Sequence, residues 1–92
     1  MLPIIWKNSA RSDLAKIVRY IAMTNPQAAR RMRQRLQEAI LPVVEHPYLY
    51  RQSERVPGTR EIVAHPNYIV VYQVKADSID VLRVLHSRQQ YP

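Results

Sequence analysis

Ninety-two residues without a cysteine suit one domain, 1–92, with one modest core, and exclude disulfide frameworks, thiolate nucleophiles and cysteine-held zinc. Hydrophobic residues make up 47%, too many for a disordered tail, yet no run approaches the ~20 apolar residues of a membrane helix, and Met1–Trp6 meets Lys7 too soon for a signal peptide, so a cytoplasmic protein is expected. The formal net charge is +7, from 14 Lys+Arg against 7 Asp+Glu; all but Lys7, Lys16 and Lys75 of those cations are arginine, which grips phosphate and carboxylate bidentately, so the expected partner is acidic, a nucleic acid or an acidic protein surface.

Leu2–Lys7 reads as a short strand, and Pro3, lacking an N–H, places it at a sheet edge or a strand start. Ser9 or Ser12 can cap the helix that follows, where Leu14, Ile17, Val18 and Ile21 recur at the i, i+3, i+4, i+7 spacing of one apolar stripe. Asn25-Pro26 supplies an N-cap and a first helical residue for a second helix. Its Ala29, Met32, Leu36, Ile40 and Val43 share one face, with Arg30, Arg31 and Arg35 off that stripe. Pro42 falls inside the pattern and predicts a kink or break. So short a connection makes the two helices an antiparallel hairpin, ended by His46-Pro47.

Residues 48–58 form a loop, and Gly58, the sole glycine, is expected to adopt a backbone angle other residues avoid. From Thr59 the period changes to that of strands. Thr59–His65, Tyr68–Lys75 and Ser78–Ser87 are separated by turns at Pro66-Asn67 and Ala76-Asp77. Ile69–Tyr72, and Val81-Leu82 followed by Val84-Leu85, are apolar on both faces, which predicts central strands. The predicted class is α+β, in the order β-α-α-β-β-β, with a helix hairpin packed on a small antiparallel sheet.

Three stretches carry a resemblance. Tyr68-Ile69-Val70-Val71-Tyr72 is similar to the central-strand signature of the RelE/ParE superfamily of toxins from bacterial toxin–antitoxin operons. Val84-Leu85-His86-Ser87-Arg88 resembles the last-strand ending of ParE-like members. His46-Pro47-Tyr48 through Pro57-Gly58-Thr59-Arg60-Glu61 resembles their linker and second strand. The likeness covers essentially the whole chain and implies the same fold. It also implies a growth-inhibiting toxin of a type II system, of the kind that stabilises plasmids, and a cognate antitoxin, acidic and partly disordered when free, that folds over the toxin. Operator DNA would be met only through that antitoxin, and no cofactor is implied. The groove beside the hairpin and an open sheet edge are the expected docking places.

RelE-like members cleave messenger RNA on the ribosome, whereas ParE-like members are known for inhibiting DNA gyrase. Cleavage needs a proton acceptor, a proton donor and cations around a five-coordinate phosphate. Nuclease relatives carry an arginine directly after the first tyrosine of the central strand; here that residue is Ile69. Some end in a histidine before a terminal tyrosine; here the pair is Gln90-Tyr91, and glutamine exchanges no proton near neutral pH. Losing one such arginine costs on the order of 3 kcal/mol, about a hundredfold in rate. The favoured reading is therefore a non-enzymatic gyrase blocker. The alternative is a ribosome-dependent endoribonuclease using Arg88, His86 and Tyr91, and a plain nucleic-acid-binding module is a third.

For a blocker, Arg60, Arg83, His86, Arg88 and Tyr91 are expected to meet the target, and Arg30, Arg31, Arg35, Arg51 and Arg55 the antitoxin. Tyr68 and Tyr72 share a face with Val70 and Val74 and are expected in the core. His86, on one face with Leu82 and Val84, reads equally as a buried structural histidine. His46, His65 and His86 lack ligand spacing, and no metal site is expected.

Overall fold

The computed structural model describes residues 1–89. Strand β1 (Ile4–Trp6) is followed by helices α1 (Asn8–Ala22) and α2 (Pro26–Glu38), a 3-10 turn over Leu41–Val44, and strands β2 (Arg60–His65), β3 (Tyr68–Val74) and β4 (Ile79–His86). The order is the predicted β-α-α-β-β-β, and β2, β3 and β4 form the expected antiparallel meander. The first strand adds a feature the meander alone does not have. It lies parallel to β4, which makes a mixed sheet in the order β1-β4-β3-β2. No helix among the described residues is long and apolar enough to cross a membrane.

β1 pairs over only three residues, Ile4 to Trp6, and the bonds at its ends extend the contact. Ile79 donates its N–H to the Pro3 carbonyl at 2.9 Å, and Lys7 donates to the Val81 carbonyl at 3.0 Å. Pro3 serves as an acceptor alone, which needs no N–H of its own. Just beyond Trp6 the chain turns into α1. Neither Ser9 nor Ser12 caps that helix: the cap residue is Lys7, without a side-chain bond. Ser9 lies inside the first turn, and its hydroxyl donates to the Leu82 carbonyl, tying the helix to β4 instead. α2 begins as predicted, with the Asn25 side chain accepting the Ala28 N–H at 3.0 Å and Pro26 in the first turn. It ends at Glu38, and Pro42 sits in the separate 3-10 turn, so the predicted break is there.

The helices cover one sheet face. Leu14, Leu36, Ile40 and Val43 meet Ile62, Val70, Tyr72, Ile79, Val81 and Val84 in the main core. Tyr72 is fully buried, and its hydroxyl donates to the Pro47 carbonyl at 2.8 Å, so the ring fills the core without an orphaned polar atom. On the opposite face Ile69, Val71 and Leu85 form a smaller cluster beneath Val56 of the 48–58 loop. Two covered faces account for the unbroken apolar run of β3. In β4 the register slips: Val71 faces Arg83, while Tyr72 faces Val81. Leu82 is therefore an extra residue, a bulge that lets Val81 and Val84 both reach the main core despite their odd spacing.

Candidate functional site

At one end of the sheet, three rings lie on neighbouring strands in register: His65 opposite Tyr68, and Tyr68 opposite His86. Ring centroids are 5.8 Å apart for His65–Tyr68 and 5.5 Å for Tyr68–His86, the latter edge-on. His86 is partly exposed; its Nδ1 accepts the Arg88 N–H at 3.1 Å. An accepting Nδ1 places the proton of the neutral ring on Nε2. His65 repeats the arrangement, accepting the Asn67 N–H at 3.0 Å. Burial, with the charge of Arg35 nearby, holds His65 below the ordinary imidazole pKa. Arg88 is exposed at the same end. Tyr91, the other residue expected here, lies outside the described residues, as does Gln90.

Arg83 and Arg60, also expected at a target surface, each have partners within the fold. Arg83 donates Nε and Nη2 to the Asp13 carboxylate at 2.7 and 3.1 Å. Asp13 also accepts the Val84 N–H at 2.9 Å, so it caps the edge of β4 beyond the end of β1. Arg60 donates to the Tyr50 carbonyl at 2.7 Å and lies over the Tyr48 ring, 5.0 Å from its centroid.

The five arginines expected to meet an antitoxin also divide. Arg30 and Arg31 are exposed on α2, with no ion pair among the described residues. Arg35 donates Nε to the Ala64 carbonyl at 2.8 Å. Arg51 and Arg55 converge on Glu61, whose side chain is 1% exposed. Glu61 accepts Arg51 Nη2 at 3.1 Å, both oxygens accept Arg55 Nη1, and the Ser53 hydroxyl donates at 2.7 Å. Burial pushes the Glu61 carboxyl up, but Ser53, Arg55 and Arg51 together outweigh it and hold the group below its ordinary pKa. Arg55 also reaches the Ser87 carbonyl, which fixes the loop across the far sheet face.

The same loop covers the start of the sheet edge at β2, and α2 reaches its far end. Ser53 donates its N–H to the Thr59 carbonyl, Glu61 donates to that of Arg51, and Arg35 takes that of Ala64. Two grooves flank α2. One, about 520 Å³, runs along the hairpin over Trp6, with Leu14, Ala15, Val18, Arg11, Arg19, Arg33 and Gln37. A second, about 540 Å³, lies between α2 and β2, with Arg31, Gln34, Arg35, Pro42, Tyr50 and Val63 among its walls.

Sequence reasoning overlooked the acids. Asp13, Glu61 and Asp80 each anchor cations that composition alone counts as surface charge. Asp80 is 1% exposed, accepts the Ser78 hydroxyl at 2.8 Å, and pairs with Lys75 at 2.9 Å and Lys7 at 3.8 Å. One signal was available. Asp80 and Glu61 are lone carboxylates inside strand patterns, where an unpaired charge is costly.

The family model for the ParE toxin of the type II toxin–antitoxin system parDE matches residues 4–91. Y4kP from Sinorhizobium fredii is 36% identical over 90 residues, covering 97% of this chain and 92% of that protein. Toxin RelE2 from Caulobacter vibrioides is 32% identical over 87 residues, covering 95% and 97%. Among solved structures, a chain of the chromosomal ParDE system of P. aeruginosa superposes with a TM-score of 0.83 at 22% identity, covering 94% of this chain and 96% of that one.

Proposed function

This chain belongs to the ParE toxin family of type II toxin–antitoxin systems, and we propose that it arrests growth in the cytoplasm as a non-enzymatic blocker of DNA gyrase. One observation carries that reading. The position after Tyr68, where nuclease relatives hold an arginine, is Ile69, 3% exposed in the apolar cluster of the far face. An isoleucine there neutralises no charge on a five-coordinate phosphate. The nearby candidate in β4, Arg83, has its guanidinium on Asp13. What is presented at the sheet end, Arg88 beside the half-buried His86 and Tyr68, suits an interface anchor, in which an arginine and aromatic rings supply most of the binding energy.

As a toxin of this family the chain has an antitoxin as its partner. The exposed Arg30 and Arg31 of α2 would attract an acidic antitoxin segment at long range, with contact to operator DNA made through the antitoxin. The test is a supercoiling assay with purified gyrase, run beside primer extension on translated message after induction. Blocked supercoiling with intact message is the expected result. New 5′ ends appearing with supercoiling unaffected would replace the blocker by a ribosome-dependent endoribonuclease working through His86 and Arg88.

A further inference from the structure

The peptide group between Ser87 and Arg88 is held at both ends. Its carbonyl accepts Arg55 Nη2 at 2.8 Å, and its N–H donates to His86 Nδ1 at 3.1 Å. A peptide group is planar, so fixing its two polar ends fixes the plane, and with it the direction in which the chain carries Arg88 away from β4. The neighbouring groups have partners as well. Ser87 donates its N–H to the Asn67 carbonyl at 2.8 Å, and Gln89 donates to that of His86 at 2.9 Å. These partners lie in β4 or in the turn between β2 and β3, with one exception. Arg55 reaches in from a loop 32 residues earlier.

That guanidinium is itself held in place. Nη1 donates to both oxygens of Glu61, whose side chain is 1% exposed, and Nη2 is left for the Ser87 carbonyl. The Arg55 backbone N–H donates to Ser53 Oγ at 3.0 Å, and that hydroxyl donates onward to Glu61 at 2.7 Å. A planar fork can serve a carboxylate with one nitrogen and a carbonyl with the other, whereas a lysine ammonium offers a single nitrogen. Arg55 thus ties β2 to the end of β4 across β3, which lies between them. The Glu61 pair anchors the loop; the second bond goes to the peptide group that leads into Arg88. The Arg88 side chain is exposed and makes no ion pair among the described residues.

We infer that Arg55, backed by Glu61, is a positioning residue for the toxin's action, aiming Arg88 at the target. This role rests on the reading of Arg88 as the target's anchor, and it moves Arg55 from the antitoxin side expected from the sequence to the target side. The physical gain is preorganisation. An arginine whose backbone is already set loses less freedom on docking, so more of its contact energy appears as affinity.

The experiment uses the full chain in a double-mutant cycle between positions 55 and 88, read as the amount of protein needed for growth arrest and for inhibition of purified gyrase. Arg55→Lys keeps a cation on Glu61 and removes the fork. It is expected to melt no more than about 8 °C below the parent, as for the loss of one hydrogen bond, and to need about fivefold more protein. In the Arg88→Ala background the same change is expected to have no further effect. Should Arg55→Lys unfold, the pair Arg55→Gln, Glu61→Gln removes the clamp without stranding a buried carboxylate, and the same non-additivity is expected of it. A loss that persists in full in the Arg88→Ala background overturns the assignment, because Arg55 would then act by itself. Undiminished toxicity of a folded variant at position 55 overturns it equally. Failure of the blocker reading would be seen separately, as gyrase untouched by the parent chain, while the cycle on growth arrest still decides whether Arg55 works through Arg88.

Discussion

The Arg83 guanidinium grips Asp13 with two bonds, of 2.7 and 3.1 Å, across 70 residues of sequence. Because the same carboxylate accepts the Val84 N–H, Asp13 joins α1 to β4 at the point where β1 has ended. Both side chains are a quarter exposed or less, so solvent screens the pair only in part. Asp13→Ala would leave a guanidinium and a strand N–H without their shared acceptor, and is expected to destabilise the fold by about 2–3 kcal/mol. At roughly 4–8 °C per kcal/mol for a domain of this size, thermal melting would show it clearly. Arg83→Ala should lower the melting temperature as well, so lost toxicity in that variant would track lost fold. An unchanged melting temperature for Asp13→Ala would remove the structural role.

Asp80 is held below its ordinary carboxyl pKa of 3.8, first by its bond from Lys75, then by Ser78, against the opposing effect of burial. Glu61 is held below its ordinary 4.5 by Ser53, Arg55 and Arg51, which overcome the larger single effect of its burial. A carboxyl whose folded pKa is depressed favours the folded state fully above its unfolded pKa, and that contribution is lost as pH falls through the folded value. Stability should therefore hold at neutral pH, begin to fall near pH 4.5 and 3.8, and go on falling below both. His65 acts in the same direction at higher pH. Its depressed pKa means that the unfolded chain takes up a proton first, so stability slips as pH falls below 6.5. Urea unfolding from pH 7 downward should give these slopes, with the steepest acid segment flattened in Asp80→Asn and Glu61→Gln. Identical slopes in parent and variants would contradict the assignment.

The sequence disclosed what is local. The Asn25-Pro26 cap, the stripe through Leu14, Ile17 and Val18, the break at Pro42 and the apolar runs of β3 and β4 each depend on residues close along the chain, and each is found in place. What was not legible depends on distant pairing. The parallel seating of β1 on β4 joins residues some 75 positions apart, and no short spacing encodes it. The fate of each arginine was hidden for the same reason. Arg51 and Arg55 look like surface charge until Glu61 is found beneath them, and Arg83 until Asp13 is found beside it. The bulge at Leu82 also defeats simple alternation, because it breaks the two-residue period in the middle of β4.

Gly58 provides a test of backbone chemistry. Its φ of +78° lies in the left-handed region, and a Cβ built there would meet nothing nearer than Gln73 Nε2 at 4.0 Å. Space is therefore no obstacle, and the cost of Gly58→Ala is conformational alone, about 1 kcal/mol. Gly58→Asn should cost less, since asparagine tolerates that region better. Chemical denaturation of the two variants would rank them. Equal stability for parent and Ala variant would show that the loop relaxes rather than holding the angle.

Arg88 offers the sharpest separation of action from folding. Its side chain is exposed, and its main contact in the fold is through the backbone, the N–H given to His86 Nδ1. Alanine keeps that N–H, so Arg88→Ala is expected to melt within about 0.5 kcal/mol of the parent, as surface substitutions do. An interface arginine truncated to alanine commonly costs 2 kcal/mol or more of binding, roughly a thirtyfold loss of affinity. Growth arrest should then demand far more protein from the variant than from the parent at equal melting temperature. Lysine at the same position would restore the charge without the planar fork and should recover only part of the effect. Full recovery by lysine would mean that position 88 contributes long-range attraction alone. Full toxicity in Arg88→Ala would move the anchor away from this end of the sheet.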